Sequence, residues 1–237
     1  MASATAVRAV AATAVFATAT ASALEERCIS RPPTCHPLCD SDDASSFGDP
    51  TACGDDSDWT RGAIWPGGEL LASFLTPALV RGRRVLELGC GTGLPGIVAA
   101  RLGASRLVLT DGTAEVLARA KQNAASNLKD VPWAAQQLNF GEVTPEDLAG
   151  KFDVLIASDV LYQSSGWRPL AQTAGELLAP NGVLLVAEAG HETSPADATL
   201  GGFRVVAEGS GLAFDEEPET LGEGGYNAKL VRVRRRS

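Results

Sequence analysis

Val85-Leu86-Glu87-Leu88-Gly89-Cys90-Gly91-Thr92-Gly93-Leu94-Pro95-Gly96 is the stretch that decides the fold of this chain. Val85 to Leu88 is an apolar run broken by one carboxylate, which reads as a buried strand. Glycines follow at alternate positions, 89, 91 and 93, so the backbone can turn sharply and a ligand can lie against it. Pro95 suits a first helical turn, and Ile97, Val98, Ala99 and Ala100 continue as a small-residue helix. Arg106-Leu-Val-Leu-Thr110 reads as the next strand. Asp111 ends it, eighteen residues after Gly93, where a carboxylate is placed to accept both hydroxyls of a ribose. The segment describes a nucleoside-cofactor site.

Two cofactors compete for it, because Gly91-x-Gly93-x-x-Gly96 also fits a dinucleotide fingerprint. In that fingerprint the first glycine follows the strand at once. Counted from Gly89, the third glycine position falls on Leu94; counted from Gly91, the strand would end in Gly89-Cys90, a poor ending. Glu87 lies inside the last turn of the strand, where it would repel a pyrophosphate and welcome an ammonium. S-adenosylmethionine carries an ammonium and no phosphate, so it is preferred over a nicotinamide dinucleotide. A tight strand–helix turn without a ligand is disfavoured because Asp111 is placed to complete a site.

Outward from the motif, the chain divides unevenly. It has 237 residues and a formal net charge of −9, which argues against non-specific nucleic-acid binding. The run Arg232-Val-Arg-Arg-Arg236 is the exception, and reads as the solvated end of a last strand. Within the segment 1–24, residues 2–24 are almost entirely Ala, Thr, Val and Ser, with Arg8 as the only charged side chain. They resemble an organelle transit peptide (plastid or mitochondrion), with a secretory signal or a low-complexity tail as alternatives. A stable membrane anchor is disfavoured by the weak hydropathy of this span. Residues 25–57 hold Cys28, Cys35, His36, Cys39 and Cys53 among Pro, Ser and Asp. No second pair sits at ligand spacing, so a disordered acidic linker is preferred to a metal site.

From residue 58 to 237, strand and helix signals alternate, as in a parallel sheet covered on both faces. Helices are expected over Glu69–Leu79, Ala114–Asn127, Trp167–Ala179 and Pro195–Ala207. Strands are expected at Arg84–Leu88, Leu107–Thr110, Ala134–Asn139, Phe152–Ser158 and Val183–Ala187, the last entered by a turn at Pro180-Asn-Gly182. Leu212–Glu216 and Ala228–Val233 supply two final strands.

Three segments, read together, resemble the seven-β-strand S-adenosylmethionine-dependent protein-lysine methyltransferases. They are Gly62-Ala-Ile-Trp65-Pro-Gly-Gly-Glu-Leu-Leu71, the Glu87–Gly96 motif with its Leu94-Pro95-Gly96, and Ala157-Ser-Asp159-Val-Leu-Tyr162. The resemblance implies an α/β fold, a Rossmann-like doubly wound seven-stranded sheet ordered 3-2-1-4-5-7-6 with strand seven antiparallel. It further implies S-adenosyl-L-methionine as cofactor, a non-histone protein as substrate and partner, and a cytoplasmic location, against the organelle reading of the N-terminus. This chain departs from the family twice. Asn139-Phe140 stands where Asp-Trp is more usual, and Glu188-Ala-Gly-His191-Glu192 replaces an Arg-containing stretch, which leaves the acceptor side open.

On this reading Glu87 would hold the methionyl ammonium, directly or through water. Gly89, Gly91 and Gly93 would admit the cofactor to the backbone, and Asp111 would take the ribose. Asn139 would bond the adenine edge, Phe140 would pack on its ring, and Trp65 and Ser158 would face the methionyl end. Asp159 and Tyr162 lie past a strand end, where substrates bind in open α/β sheets. Asp159 would orient the acceptor ammonium and Tyr162 would wall the channel by cation–π contact. Each has a plainer reading: an ion pair with Arg83 or Arg84 for Glu87, a helix cap for Asp159, packing for Tyr162 and Trp65. A small-molecule N- or O-methyltransferase, a non-catalytic cofactor-binding module and an NAD-dependent oxidoreductase remain alternatives. No metal ligands are expected in the domain.

Overall fold

A computed structural model describes residues 64–190, 195–215, 217–223 and 226–236. The Ala/Thr-rich start, the Cys-rich linker and His191 lie outside the described residues.

Pro66 opens helix α1, Pro66–Phe74, and Pro77 opens the short α2, Pro77–Val80. A single helix over Glu69–Leu79 was expected; Pro77 breaks it, because the residue before a proline is driven to extended backbone, as at Thr76 with ψ 158°. The glycine motif then builds β1, Arg84–Leu88, and α3, Leu94–Arg101. Next come β2 (Arg106–Asp111), α4 (Ala114–Asn127), β3 (Trp133–Gln137) and β4 (Phe152–Ser158). Helix α5 (Trp167–Leu177), β5 (Leu178–Glu188) and α6 (Ala196–Gly209) follow. The chain ends in β6 (Leu212–Phe214), β7 (Glu219–Glu223) and β8 (Tyr226–Arg235).

The sheet runs β3-β2-β1-β4-β5-β8-β6, with β7 paired to β8. Strands β1 to β5 are mutually parallel, and β8 is antiparallel to β5, β6 and β7. The expected order holds, with one strand more than the seven expected: β7, whose Glu-Thr-Leu-Gly-Glu offers one apolar residue and reads as loop. Pro180-Asn181-Gly182 also differs from expectation. It is a register break within β5, between the pairs Phe152–Leu178 and Val154–Val183, and a side chain on Gly182 would collide with the Phe152 carbonyl at 2.8 Å.

Alternation along β1 sorts its side chains between two cores. Val85 joins Ile97, Leu107, Leu109 and Ile156 beneath α1, α3 and α4. Leu86 and Leu88 join Leu155, Leu170, Val186 and Phe203 beneath α5 and α6. Glu87 therefore shares its face with Val85 and points under α3. Trp167 stitches the second layer, donating from Nε1 to the Leu161 carbonyl at 2.9 Å and seating its ring where a side chain on Gly202 would stand. Three of the four cations of the arginine run at the end of β8 are matched to acids: Arg232 to Glu219 at 3.1 Å, Arg234 to Asp215, and Arg236 to Glu208 at 3.9 Å, while Arg235 donates to the Leu178 carbonyl at 3.5 Å.

Candidate cofactor and acceptor site

The parallel strands end together, and their ends carry every acid singled out above. Between β1 and α3 the backbone takes positive φ at Gly89 (61°), Gly91 (52°) and Gly93 (80°), a region costly for any side chain and open to glycine. Space demands glycine as well: a Cβ on Gly89 would lie 2.8 Å from Val160 Cγ1 and 3.7 Å from Phe140 Cζ. The bared turn is one wall of a cleft. Ile64, Trp65 and Gly68 form the facing wall, and Ser158 closes the end.

Glu87 sits behind this cleft, 2% exposed. Its Oε2 accepts the Gly96 N–H at 2.9 Å, and Gly96 has to be glycine because a Cβ there would lie 2.5 Å from that oxygen. Arg84 pairs with Asp153 at 2.8 Å instead. Burial pushes the Glu87 carboxyl up to about 8; the Gly96 N–H opposes the rise and the charge of Asp111 adds to it. Asp111, half-buried, accepts the Gly91 N–H at 3.2 Å and the Thr113 N–H at 2.9 Å. Burial raises its pKa too, against the amides of Thr113, Gly91 and Gly112. Cys90, buried in the turn, has its thiol pushed well up by burial, which leaves it an inert space-filler.

Asn139 and Phe140 follow the end of β3. Phe140 is half-buried against the second core, with its ring edge toward Gly89. Asn139 is exposed, donates from Nδ2 to Glu142 Oε1 at 3.0 Å, and lies over Gly112, where a Cβ would meet its Oδ1 at 2.7 Å. Trp65 and Ser158 line the cleft, while Asn139 and Phe140 lie against Gly112 and Gly89.

Asp159 follows β4 with φ 51°, the one non-glycine residue at positive φ among the described residues. Its Oδ2 accepts the Gly67 N–H at 2.8 Å and its Oδ1 the Ala189 N–H at 2.9 Å. Tyr162 is 55% exposed and stands outside the cleft. Next to Asp159 is a residue that sequence reasoning did not single out. Glu188 ends β5, is 2% exposed, and accepts the Leu161 N–H at 3.4 Å. Burial, and then the charge of Asp159, push it up to about 8. The signal was available: Glu188 stands at the end of β5 as Asp159 stands after β4, and an acid closing an otherwise apolar strand is unusual. Among the described residues no group of His, Cys, Asp and Glu is arranged to hold a metal ion, and no helix is long and apolar enough to cross a membrane.

A sheet of this order, with a glycine turn after β1 and acids at the ends of its parallel strands, defines a Rossmann-like methyltransferase fold. Solved structures agree: the ribosomal protein L11 methylase of Lactobacillus delbrueckii superimposes with a TM-score of 0.53 at 20% identity, covering 72% of this chain and 78% of that one. The magnesium protoporphyrin IX methyltransferase of Synechocystis, solved with S-adenosylmethionine bound, gives 0.53 at 18% identity over 72% and 76%. The chain belongs to the lysine methyltransferase family, whose model matches residues 55–196. It is 35% identical over 139 residues to mouse protein N-lysine methyltransferase METTL21A, covering 55% of this chain and 63% of that protein. It is 36% identical over 120 residues to Arabidopsis thaliana calmodulin-lysine N-methyltransferase (48% and 40%). To the protein N-terminal and lysine N-methyltransferase EFM7 of Yarrowia lipolytica it is 28% identical over 196 residues (66% and 71%). The mouse and Arabidopsis matches thus span less than two thirds of those relatives.

S-adenosylmethionine, the cofactor of this fold and family, fits the residues present. The turn is bared where a Cβ on Gly89 would intrude, Asp111 is held by the Gly91 and Thr113 amides, and the Glu87 carboxyl lies buried behind the turn.

Proposed function

We propose that this chain is an S-adenosylmethionine-dependent methyltransferase acting on a lysine side chain of a non-histone protein. The observation that carries the reading is the half-buried Asp159 carboxylate after β4 with the buried Glu188 carboxyl beside it at the end of β5, a pair that suits a cationic nitrogen and repels a phosphate. When bound, the cofactor supplies a methyl group on a sulfonium, which becomes a neutral thioether as the methyl leaves. Glu87 and Asp111 would hold its ammonium and ribose, and the backbone of Gly89 and Gly91 would let it lie close. The acceptor lysine arrives protonated, since its pKa in water is about 10.4. The charge of Asp159 draws it in, Tyr162 walls its path at the surface, and its proton leaves to water before attack, so neither residue need be a strong base. Alignment and electrostatics are the protein's share of the catalysis.

The names of the relatives support a lysine acceptor, and that of EFM7 favours a second one, the α-amine of a protein N-terminus. The test is incubation of the full chain with methyl-labelled S-adenosylmethionine and cell lysate, followed by mapping of the label. Methyl-lysine in one or a few proteins is expected. Label on N-terminal amines would select the second acceptor, and label only in small molecules would overturn both.

A further inference from the structure

We infer that Asp159 is a positioning residue, a latch that holds the Trp65 wall of the cleft closed over the cofactor. The inference rests on the cofactor reading above and assigns Asp159 a duty distinct from meeting the acceptor. Three segments remote in sequence meet at its carboxylate: the start of α1 through the Gly67 N–H, the exit of β5 through the Ala189 N–H, and its own turn after β4. The Asp159 N–H completes the tie by donating to the Ala187 carbonyl at 2.9 Å. Glu188 answers in the opposite sense by accepting the Leu161 N–H, so each of the two loops offers a carboxylate to the amide of the other.

The local chemistry shows that the tie is built. Asp159 adopts a left-handed backbone, φ 51°, which costs a side-chain-bearing residue on the order of 1 kcal/mol or more and persists where surrounding bonds enforce it. Gly67 has no Cβ because none would fit: one placed there would lie 2.5 and 2.7 Å from the two carboxylate oxygens. Gly67 follows Trp65 by two residues, and it donates from the first turn of α1, where amides have no intrahelical acceptor and a carboxylate is favoured. Trp65 caps that helix with extended backbone, φ −85° and ψ 148°, and makes no side-chain capping bond of its own. The wall opposite the glycine turn is therefore fixed from the Asp159 side.

Gly67→Ala separates the latch from the charge. The added methyl meets the short Asp159 side chain rather than backbone and pushes the carboxylate away without removing it. Alanine is also the better helix former, so α1 is not weakened. Gly201→Ala, in α6 with open space around it, is the control for helix propensity. The experiment measures the affinity of the full chain for S-adenosylhomocysteine by calorimetry, its Tm, and its KM for S-adenosylmethionine and saturating rate in the labelled-lysate assay. In Gly67→Ala, Kd and KM are expected to rise roughly tenfold or more, the scale of a lost charge-assisted bond, with Tm and saturating rate close to wild type. Asp159→Asn should raise Kd similarly and lower the saturating rate as well, and the double variant should bind no more weakly than the worse single one. Wild-type Kd in Gly67→Ala, or additive losses in the double variant, would overturn the latch while leaving the cofactor reading intact. Absence of binding by the wild-type chain would overturn that reading and the latch with it.

Discussion

Replacing Glu87 by Gln should make the protein more stable above neutral pH while weakening its hold on the cofactor. The carboxyl is 2% exposed and has a backbone N–H, from Gly96, at its Oε2, and its pKa rises from 4.5 to about 8. The folded state therefore binds a proton that the unfolded state has lost over that interval. The contribution of Glu87 to stability is greatest below about 4.5, falls as pH rises toward 8, and is flat beyond. The full interval corresponds to a ceiling of ~5 kcal/mol at 1.36 kcal/mol per pH unit. Half of it, allowing for water reaching the carboxylate as the turn relaxes, is ~2.5 kcal/mol, which moves the Tm of a domain this size by about 5–10 °C. Gln keeps the acceptor for Gly96 and cannot ionise. The charged groups facing Glu87, Asp111 first among them, are the same in both proteins, so the difference in Tm isolates this residue. Melts at pH 5.5, 7 and 8.5 should show wild type falling steadily behind Glu87→Gln, while calorimetry shows S-adenosylhomocysteine bound more weakly by the variant. A constant Tm difference across that range would refute the argument, because it would mean that Glu87 is ionised in the folded protein throughout.

Glu188→Gln should show the same sign, with a smaller loss of cofactor affinity, since Glu188 is buried beside Asp159 and not behind the glycine turn; parallel melts and titrations check it. Gly96→Ala should cost about 1–3 kcal/mol in urea unfolding, the usual scale of overpacking, because its Cβ would meet Glu87 Oε2 at 2.5 Å, Leu109 Cδ2 at 2.7 Å and Leu107 Cδ1 at 3.0 Å. Asp111→Asn should raise the Kd for S-adenosylhomocysteine by roughly tenfold or more, and an unchanged Kd would remove Asp111 from the ribose site.

The half of the site that comes from one local motif was legible in the residues; the half made by long-range contacts was not. Gly89, Gly91 and Gly93 announce positive φ because few other residues tolerate it, and Asp111 announces itself by ending an apolar strand. The βα alternation gives a parallel sheet covered on both faces, and the strand order comes from the family likeness. What stayed hidden was partner choice. Nothing around Asp159 reveals that Gly67, 92 residues earlier, supplies an amide to its carboxylate, nor that Glu188 lies beside it. The break at Pro77 was readable and outweighs the continuing apolar periodicity, while β7 was not, since an edge strand with one buried leucine carries almost no alternation.

The strand-end acids gain a common explanation once their partners are known. Glu87 accepts Gly96, Asp111 accepts Gly91 and Thr113, Asp159 accepts Gly67 and Ala189, and Glu188 accepts Leu161. The partners named here are backbone amides of loops or helix starts. A carboxyl held by a fixed amide is already in place for a ligand, and a bound cation would favour the ionised form of Glu87 and Glu188, which burial otherwise pushes up to about 8. For a ligand bearing an ammonium and a sulfonium, and an acceptor arriving as a cation, that is the useful form of preorganisation. It also predicts where cofactor affinity is least forgiving: at Gly67 and Gly96, where a Cβ would lie 2.5 Å from a carboxyl oxygen, rather than at the exposed Tyr162.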